Sequence, residues 1–444
     1  MYKNKLSLIN LFLLANIFLL KHSPLYSTHN TSKYFPFLER PEEYILQGKS
    51  HISPEIFYVK ASTAFKRGGG NGGIPELWGR YYLNDVIASL QEVKGIPNPI
   101  EIERGPNNNW LNKSIRFKVN GKIKAIGLIL NNEQILKNGF QIGANIPFMH
   151  VNSSHNFALV PQDSDYVFQN LRDGEASQLD RIRRQINKEL GLNGGDWIKT
   201  GFGDLDLHAR YSKDWNYFLK MRKINFNFQT GFVVPTGVNS DNNYASSVSY
   251  MGNGHWTWYL DFVPEFELKQ DWNLGFMFGM AYQFENTRKL RIPVYQEPAI
   301  FSALVTNVKI EPGMTFKVSP YFTLGNLSDG LDFHVRYTYL RHNKDKWYDK
   351  RNNPTIKSYL NQVPGNVIGS TTLTEENINN NIKEKENLSL WRAHYITLQF
   401  SYNSKEAGNK WILDPTIYAL LDYQFSGNGS CKTHQFSVGV ELHF

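Results

Sequence analysis

Residues 256–285 read WTWYLDFVPEFELKQDWNLGFMFGMAYQFE, and apolar side chains recur at every second position on either side of Asp271. Trp256, Trp258, Leu260, Phe262, Phe266 and Leu268 share one face, against Thr257, Asp261, Glu265 and Glu267. After the turn, Trp272, Leu274, Phe276, Phe278, Met280, Tyr282 and Phe284 resume the apolar face, against Asn273, Gly275, Met277, Gly279, Ala281, Gln283 and Glu285. A period of two sustained over nine or more residues marks a strand whose two faces meet different surroundings.

The pattern recurs along the chain. Ile224, Phe226 and Phe228 alternate with asparagine and glutamine, and Leu331 to Tyr339 alternate with Asp332, His334, Arg336 and Thr338. The last stretch places Phe436, Val438, Val440, Leu442 and Phe444 on one side. Strands are expected near 56–66, 114–130, 139–150, 202–213, 217–234, 254–269, 273–286, 312–324, 330–341, 390–402, 412–425 and 433–444. Each approaches or exceeds the ~9–11 residues that cross a bilayer at a tilt.

The connections alternate in length. Links 67–113, 151–201, 235–253, 287–311 and 342–389 are long, whereas 131–138, 214–216, 270–272, 325–329 and 403–411 are short. Long loops at one end and tight turns at the other predict an all-β fold, a transmembrane antiparallel up-and-down β-barrel of about 12 strands (10–14), with long helix-containing extracellular loops. A soluble sandwich would also alternate but gives no reason for the loop asymmetry. Aromatic rings at two depths fit membrane interfaces: Trp215, Trp272 and Trp411 at the short turns, Trp256, Trp258 and Trp391 at the other end. An alternating final strand ending in Phe resembles the signal read by the bacterial barrel-assembly machinery, with Phe436, Val438, Val440, Leu442 and Phe444 facing lipid.

Lys3, Lys5 and the apolar run Leu6–Leu20 predict a signal peptide over 1–27, cleaved after Ser27, then a periplasmic N-terminal segment over 28–55 and the barrel over 56–444. That segment is too short to predict a plug. Export to the bacterial outer membrane follows, and the single Cys431 is expected to be a free thiol. The formal charge of +8 is spread along the chain, which suits outer-membrane lipid and lipopolysaccharide and not nucleic acid.

In the long links, SQLDRIRRQINKELGLNGG carries Leu179, Ile182, Ile186 and Leu190 on one helical stripe, either as a constriction in the mouth or lying on the rim. IPELWGRYYLNDVIASL predicts a short helix with exposed aromatics, and 342–389 a mobile Asn- and Lys-rich loop. GGGNGG at 68–73 fits GxGxxG, but Pro75 follows and no βαβ rhythm exists, so it reads as a flexible loop. HExxH, GxSxG and paired CxxC are absent, and no histidine adjoins a serine-nucleophile signature; the expectation is no enzyme, no cofactor and no metal.

Polar residues on the inward faces are the candidates for a lumen lining: Lys118, Lys122 and Lys124; Asp204, Asp206, His208 and Arg210; Asp261, Glu265 and Glu267; Asp332, His334 and Arg336. Both signs occur, which favours cross-strand pairs over strong ion selectivity. Barrels of eight strands are filled by side chains and those of sixteen are open, so twelve suits a narrow path.

Gly203-Asp204 opening a strand, a tight turn, and a next strand ending in Pro235-Thr236-Gly237 resemble the outer-membrane transporters named for the meta-pathway of phenol degradation, over about residues 200–285. The resemblance implies passage of small, aromatic or hydrophobic molecules. The long links 151–201 and 342–389 depart from that pattern, so no substrate carries over. The expected function is passive uptake of a small-molecule solute; the alternative is a surface structural or adhesion barrel presenting loops 67–113, 151–201 and 342–389.

Overall fold

The structure, a computed structural model, describes residues 31–35, 37–40, 50–94, 114–160, 175–217, 221–349, 375–408 and 414–444. The barrel begins with β1 (His51–Phe65), β2 (Arg116–Ile135), β3 (Phe140–Leu159), β4 (Leu205–Asn216), β5 (Lys223–Val234) and β6 (Thr257–Lys269). It continues with β7 (Trp272–Gln283), β8 (Thr315–Ser328), β9 (Leu331–His342), β10 (Trp391–Asn403), β11 (Thr416–Asn428) and β12 (Ser430–His443). Every strand pairs antiparallel with its neighbours in sequence. β1 closes the ring on β12, with Ile52 opposite Leu442 and Tyr58 opposite Phe436. The result is a closed 12-stranded up-and-down barrel with no free edge within the wall ladder, as a spanning sheet requires.

All twelve strands turn exposed apolar side chains outward, among them Ile56, Ile126, Phe148, Leu207, Phe228, Phe262, Phe278, Phe316, Tyr337, Phe400, Phe425 and Phe436. A water-soluble protein rarely exposes a contiguous apolar patch beyond a few hundred Å². A belt around the whole barrel demands an apolar surrounding instead.

The described parts of the long connections form structure of their own. Helix α1 (Leu83–Lys94), helix α2 (Glu175–Glu189) and helix α3 (Glu375–Ser389) lie at that end of the barrel. The stripe Leu179, Ile182, Ile186 and Leu190 is buried as its spacing predicts, packed with Leu83, Val86 and Leu90 of α1 and Phe117 and Val119 of β2. A separate ribbon pairs Asn286–Ile292 with Leu304–Glu311, and that with Lys346–Asp349. Ile382 of α3 packs on Ile292, Val308 and Ile310 of this ribbon. Part of 342–389 is therefore ordered structure, and two aromatics of the first loop are covered: Tyr81 has no exposed surface and Trp78 packs on the core, while Tyr82 is half-buried. Each element buries its apolar side only by stacking on the next, so the links build a cap.

Candidate functional site: the barrel lumen and its mouth

The inward faces sort into two tiers. Toward the short turns the lining is charged and tightly paired. His208 Nε2 lies 2.9 Å from Glu133 Oε1, Arg210 Nη2 reaches the same oxygen at 2.9 Å, and the Tyr259 hydroxyl donates to Asp206 at 2.7 Å. Tyr321 donates to Glu265 at 2.8 Å, and Lys317 sits 3.1 Å from Asp261. Buried charges persist only when paired and hydrogen-bonded, and these are. Toward the long links the lining turns apolar, with Phe57, Val59, Ile123, Ala125, Met149 and Val151 in one buried cluster.

The N-terminal segment runs through both tiers. Phe35 and Phe37 join the apolar cluster, Phe37 meeting Phe57 edge-on at 5.0 Å between ring centroids. Glu39 pairs with Lys317, and its carbonyl accepts from Arg336. Arg40, 4% exposed, donates to Glu441 Oε1 at 2.9 Å, lies 3.8 Å from Glu55 Oε2 and stacks 3.7 Å over the Tyr418 ring. At the opposite end, the Lys33 carbonyl accepts from the Cys431 backbone N–H at 3.1 Å. Seven residue steps of at most ~3.5 Å reach ~25 Å, about the height of a barrel's apolar band. These residues of 28–55 therefore stand inside the lumen, not beside it in the periplasm as the domain reading expected. The described residues of this stretch meet both an apolar patch and charges of the wall.

Asp204 explains the sequence motif around it. The ladder of β3 continues from β4 to the short strand Trp197–Phe202, and Gly203-Asp204 interrupts the two. The Asp204 carboxylate, 1% exposed, accepts the backbone N–H of Gly237 at 2.8 Å and of Gly252 at 2.7 Å. A Cβ at Gly237 would stand 2.7 Å from Asp204 Oδ1, so the close approach requires glycine. Gly203-Asp204 and Pro235-Thr236-Gly237 thus pin the third long link against the wall where the strand breaks.

Above the apolar tier lies a cavity of about 180 Å³, bounded by Lys33, Trp78, His255, Arg288, Trp347 and Trp391 among others. Burial lowers Lys33 to about 7. Burial works against the Asp345 carboxylate, yet His342 and the Gly313 amide hold it below its ordinary value.

No family model matches the chain, and no curated protein does. Among solved structures, an outer membrane channel from Pseudomonas putida F1 aligns with 92% of this chain and 100% of its own, at 9% identity and a TM-score of 0.47. The translocator domain of the autotransporter NalP from Neisseria meningitidis aligns over 91% of each chain, at 9% identity and a TM-score of 0.33. The CymD monoaromatic hydrocarbon channel aligns over 94% of each, at 9% identity and a TM-score of 0.31. Similarity at this level says nothing about a solute, and the barrel assignment rests on the strand ladder above.

The lumen candidates divide. Asp204, Asp206, His208, Arg210, Asp261, Glu265 and Arg336 are buried inward, His334 bonds Thr323 and Ser401, and Asp332 accepts from the Asn326 backbone. Glu267 pairs with Arg222 at a short turn, 3.2 Å away. Lys118, Lys122 and Lys124 point outward instead, on the side of β2 shared by Ile126. β2 and β3 run 20 residues each, longer than the belt, so the lysines stand above its apolar part. Trp215, Trp256 and Trp272 are exposed and Trp258 half-buried, but Trp391 is 4% exposed and stacks on His342. Trp411 lies outside the described residues. Phe436, Val438 and Phe444 face outward, with Val440 and Leu442 half-covered on the same side.

The sequence reading missed the segment 33–40 itself. Its composition held a signal: KYFPFLER places three aromatics and a charged pair in a stretch assigned to solvent.

Proposed function

We propose that this chain is a bacterial outer-membrane channel for passive uptake of small solutes, closed at rest by its own residues 31–40, exported by a signal peptide and folded by the barrel-assembly machinery. The observation that carries it is the match between segment and wall. A barrel serving only as an anchor gains nothing from buried wall charges, Lys317, Glu441 and Glu55 among them, whose partners come in part from a detachable strand of chain. Here Glu39 and Arg40 are held by side-chain pairs and stacking rather than by a strand ladder, so the segment can leave without breaking the barrel. On this reading the short turns face the periplasm and the cap faces outward, against lipopolysaccharide. The work is passage, not catalysis.

The test compares residues 28–444 with the same chain lacking 31–40 in planar lipid bilayers. Frequent discrete current steps from the deletion, and rare ones from the intact protein, support the channel. A deletion that folds as a heat-modifiable barrel yet stays silent overturns it, in favour of a barrel that presents its cap to a partner or surface.

A further inference from the structure

The cavity at the mouth has the makings of a binding site. Its volume, about 180 Å³, is comparable with the ~150 Å³ engineered cavity that takes up benzene in another protein. Its walls are flat and aromatic: the Trp78 and Trp347 rings stand 6.4 Å apart, and His342 stacks on Trp391 at 5.7 Å and 13°. Among the groups that bound it, Lys33 Nζ, Arg288 Nε and Trp347 Nε1 are buried donors with no acceptor among the described residues. A buried donor left unmet is costly, and three around one cavity is a pattern that asks for an acceptor.

The charge balance points the same way. Lys33 is 9% exposed and lies 3.2 Å over the Trp78 ring, with no ion pair among the described residues. Arg288 donates Nη1 to the Asn253 carbonyl and side-chain oxygens, both at 2.6 Å and both neutral. Asp345, the carboxylate whose charge acts on both Lys33 and Arg288, is occupied by His342 Nε2 at 2.8 Å and the Gly313 amide at 2.9 Å. Asp241 bounds the cavity too, but it is exposed and caps the Asn243 amide.

We propose that this vestibule binds a small aromatic carboxylate, its ring against the tryptophan faces and its carboxylate toward Lys33, Arg288 and the Trp347 indole N–H. The proposal deepens the uptake reading, since it rests on that reading for the solute's onward path. Lys33 belongs to the segment that fills the lumen, so the bound anion would sit at the outer end of the plug.

Calorimetric titration of the detergent-solubilised, folded protein tests binding with no conductance in the readout, so a failed channel and a failed site are told apart. Benzoate is the probe; benzamide keeps the ring without the charge, and acetate the charge without the ring. Benzoate should bind at least about tenfold more tightly than either, the worth of one charge-assisted hydrogen bond. Lys33→Met should weaken benzoate by about tenfold and benzamide, whose carbonyl is a neutral acceptor, by less. Trp347→Phe, which keeps the ring and removes the donor, should weaken benzoate severalfold while the barrel's melting is preserved. Equal binding of benzoate and benzamide overturns the proposal. So does an absence of heat at millimolar benzoate, or an unchanged benzoate affinity in both variants.

Discussion

Arg40→Met tests how firmly the lumen segment is held. The guanidinium is buried, donates to Glu441 at 2.9 Å, lies 3.8 Å from Glu55 and stacks on Tyr418 at 3.7 Å. Removing one partner of a buried ion pair costs about 3–5 kcal/mol. Methionine retains part of the apolar stem, and the two glutamates regain water once the segment leaves, so about 3 kcal/mol is the reasonable figure for the docked state. At 1.4 kcal/mol per decade, that is roughly a hundredfold shift from docked toward released. Single-channel recording reads it as a rise in open probability approaching that of the 31–40 deletion. A rise below about threefold, in a protein whose deletion does open, would refute the assignment of Arg40 as the anchor.

Asp204→Ala removes the acceptor of the half-buried Gly237 amide and the buried Gly252 amide, at a cost of about 3 kcal/mol; their hydrogen exchange should accelerate ahead of the barrel ladder. Burial holds Lys33 at about 7 against 10.5 for an exposed ammonium. The docked segment then binds fewer protons than the released one between those values, so docking strengthens as pH rises from about 7 toward 10.5. Asp345, Lys385 and Cys431 face Lys33 and modulate this. Open probability should fall by up to about tenfold per pH unit between pH 7.5 and 9, and Lys33→Met should flatten the slope. Phe444→Ala removes a half-exposed outward ring. It should leave the melting of refolded protein within about 0.5 kcal/mol but lower the amount of barrel recovered in outer-membrane fractions.

The wall was legible because a two-residue period is a strong signal wherever one face meets lipid and the other water. The hairpin 256–285 fell where its alternation placed it, as β6 and β7. The α2 stripe was legible for the same reason at helical spacing. What failed was inference from a charge alone. Lys118, Lys122 and Lys124 looked like lining because lysine avoids lipid, yet a strand longer than the belt can carry lysines outward above it. Trp391 looked like an interface ring, but its ring stacks on His342 across the β9–β10 ladder. The plug was illegible for a different reason: no periodicity marks a segment whose partners lie on several strands, the farthest from Arg40 being 401 residues away. Asp204 sat within a recognised motif, but its two amide partners could be found only in three dimensions.

The placement of Arg40 also sets an order of events during assembly. Glu55 lies on the first strand and Glu441 on the last, and β1 and β12 meet only when the ring closes. The arginine therefore straddles the joint between the two ends of the wall, and its full set of contacts is the last to become available as the chain is completed. A segment threaded through the bore before closure is captured like a cord through a ring clasped around it; one left outside must enter end-on, past the cap or between the turns. The residue that would hold the passage shut is thus also a clasp across the seam.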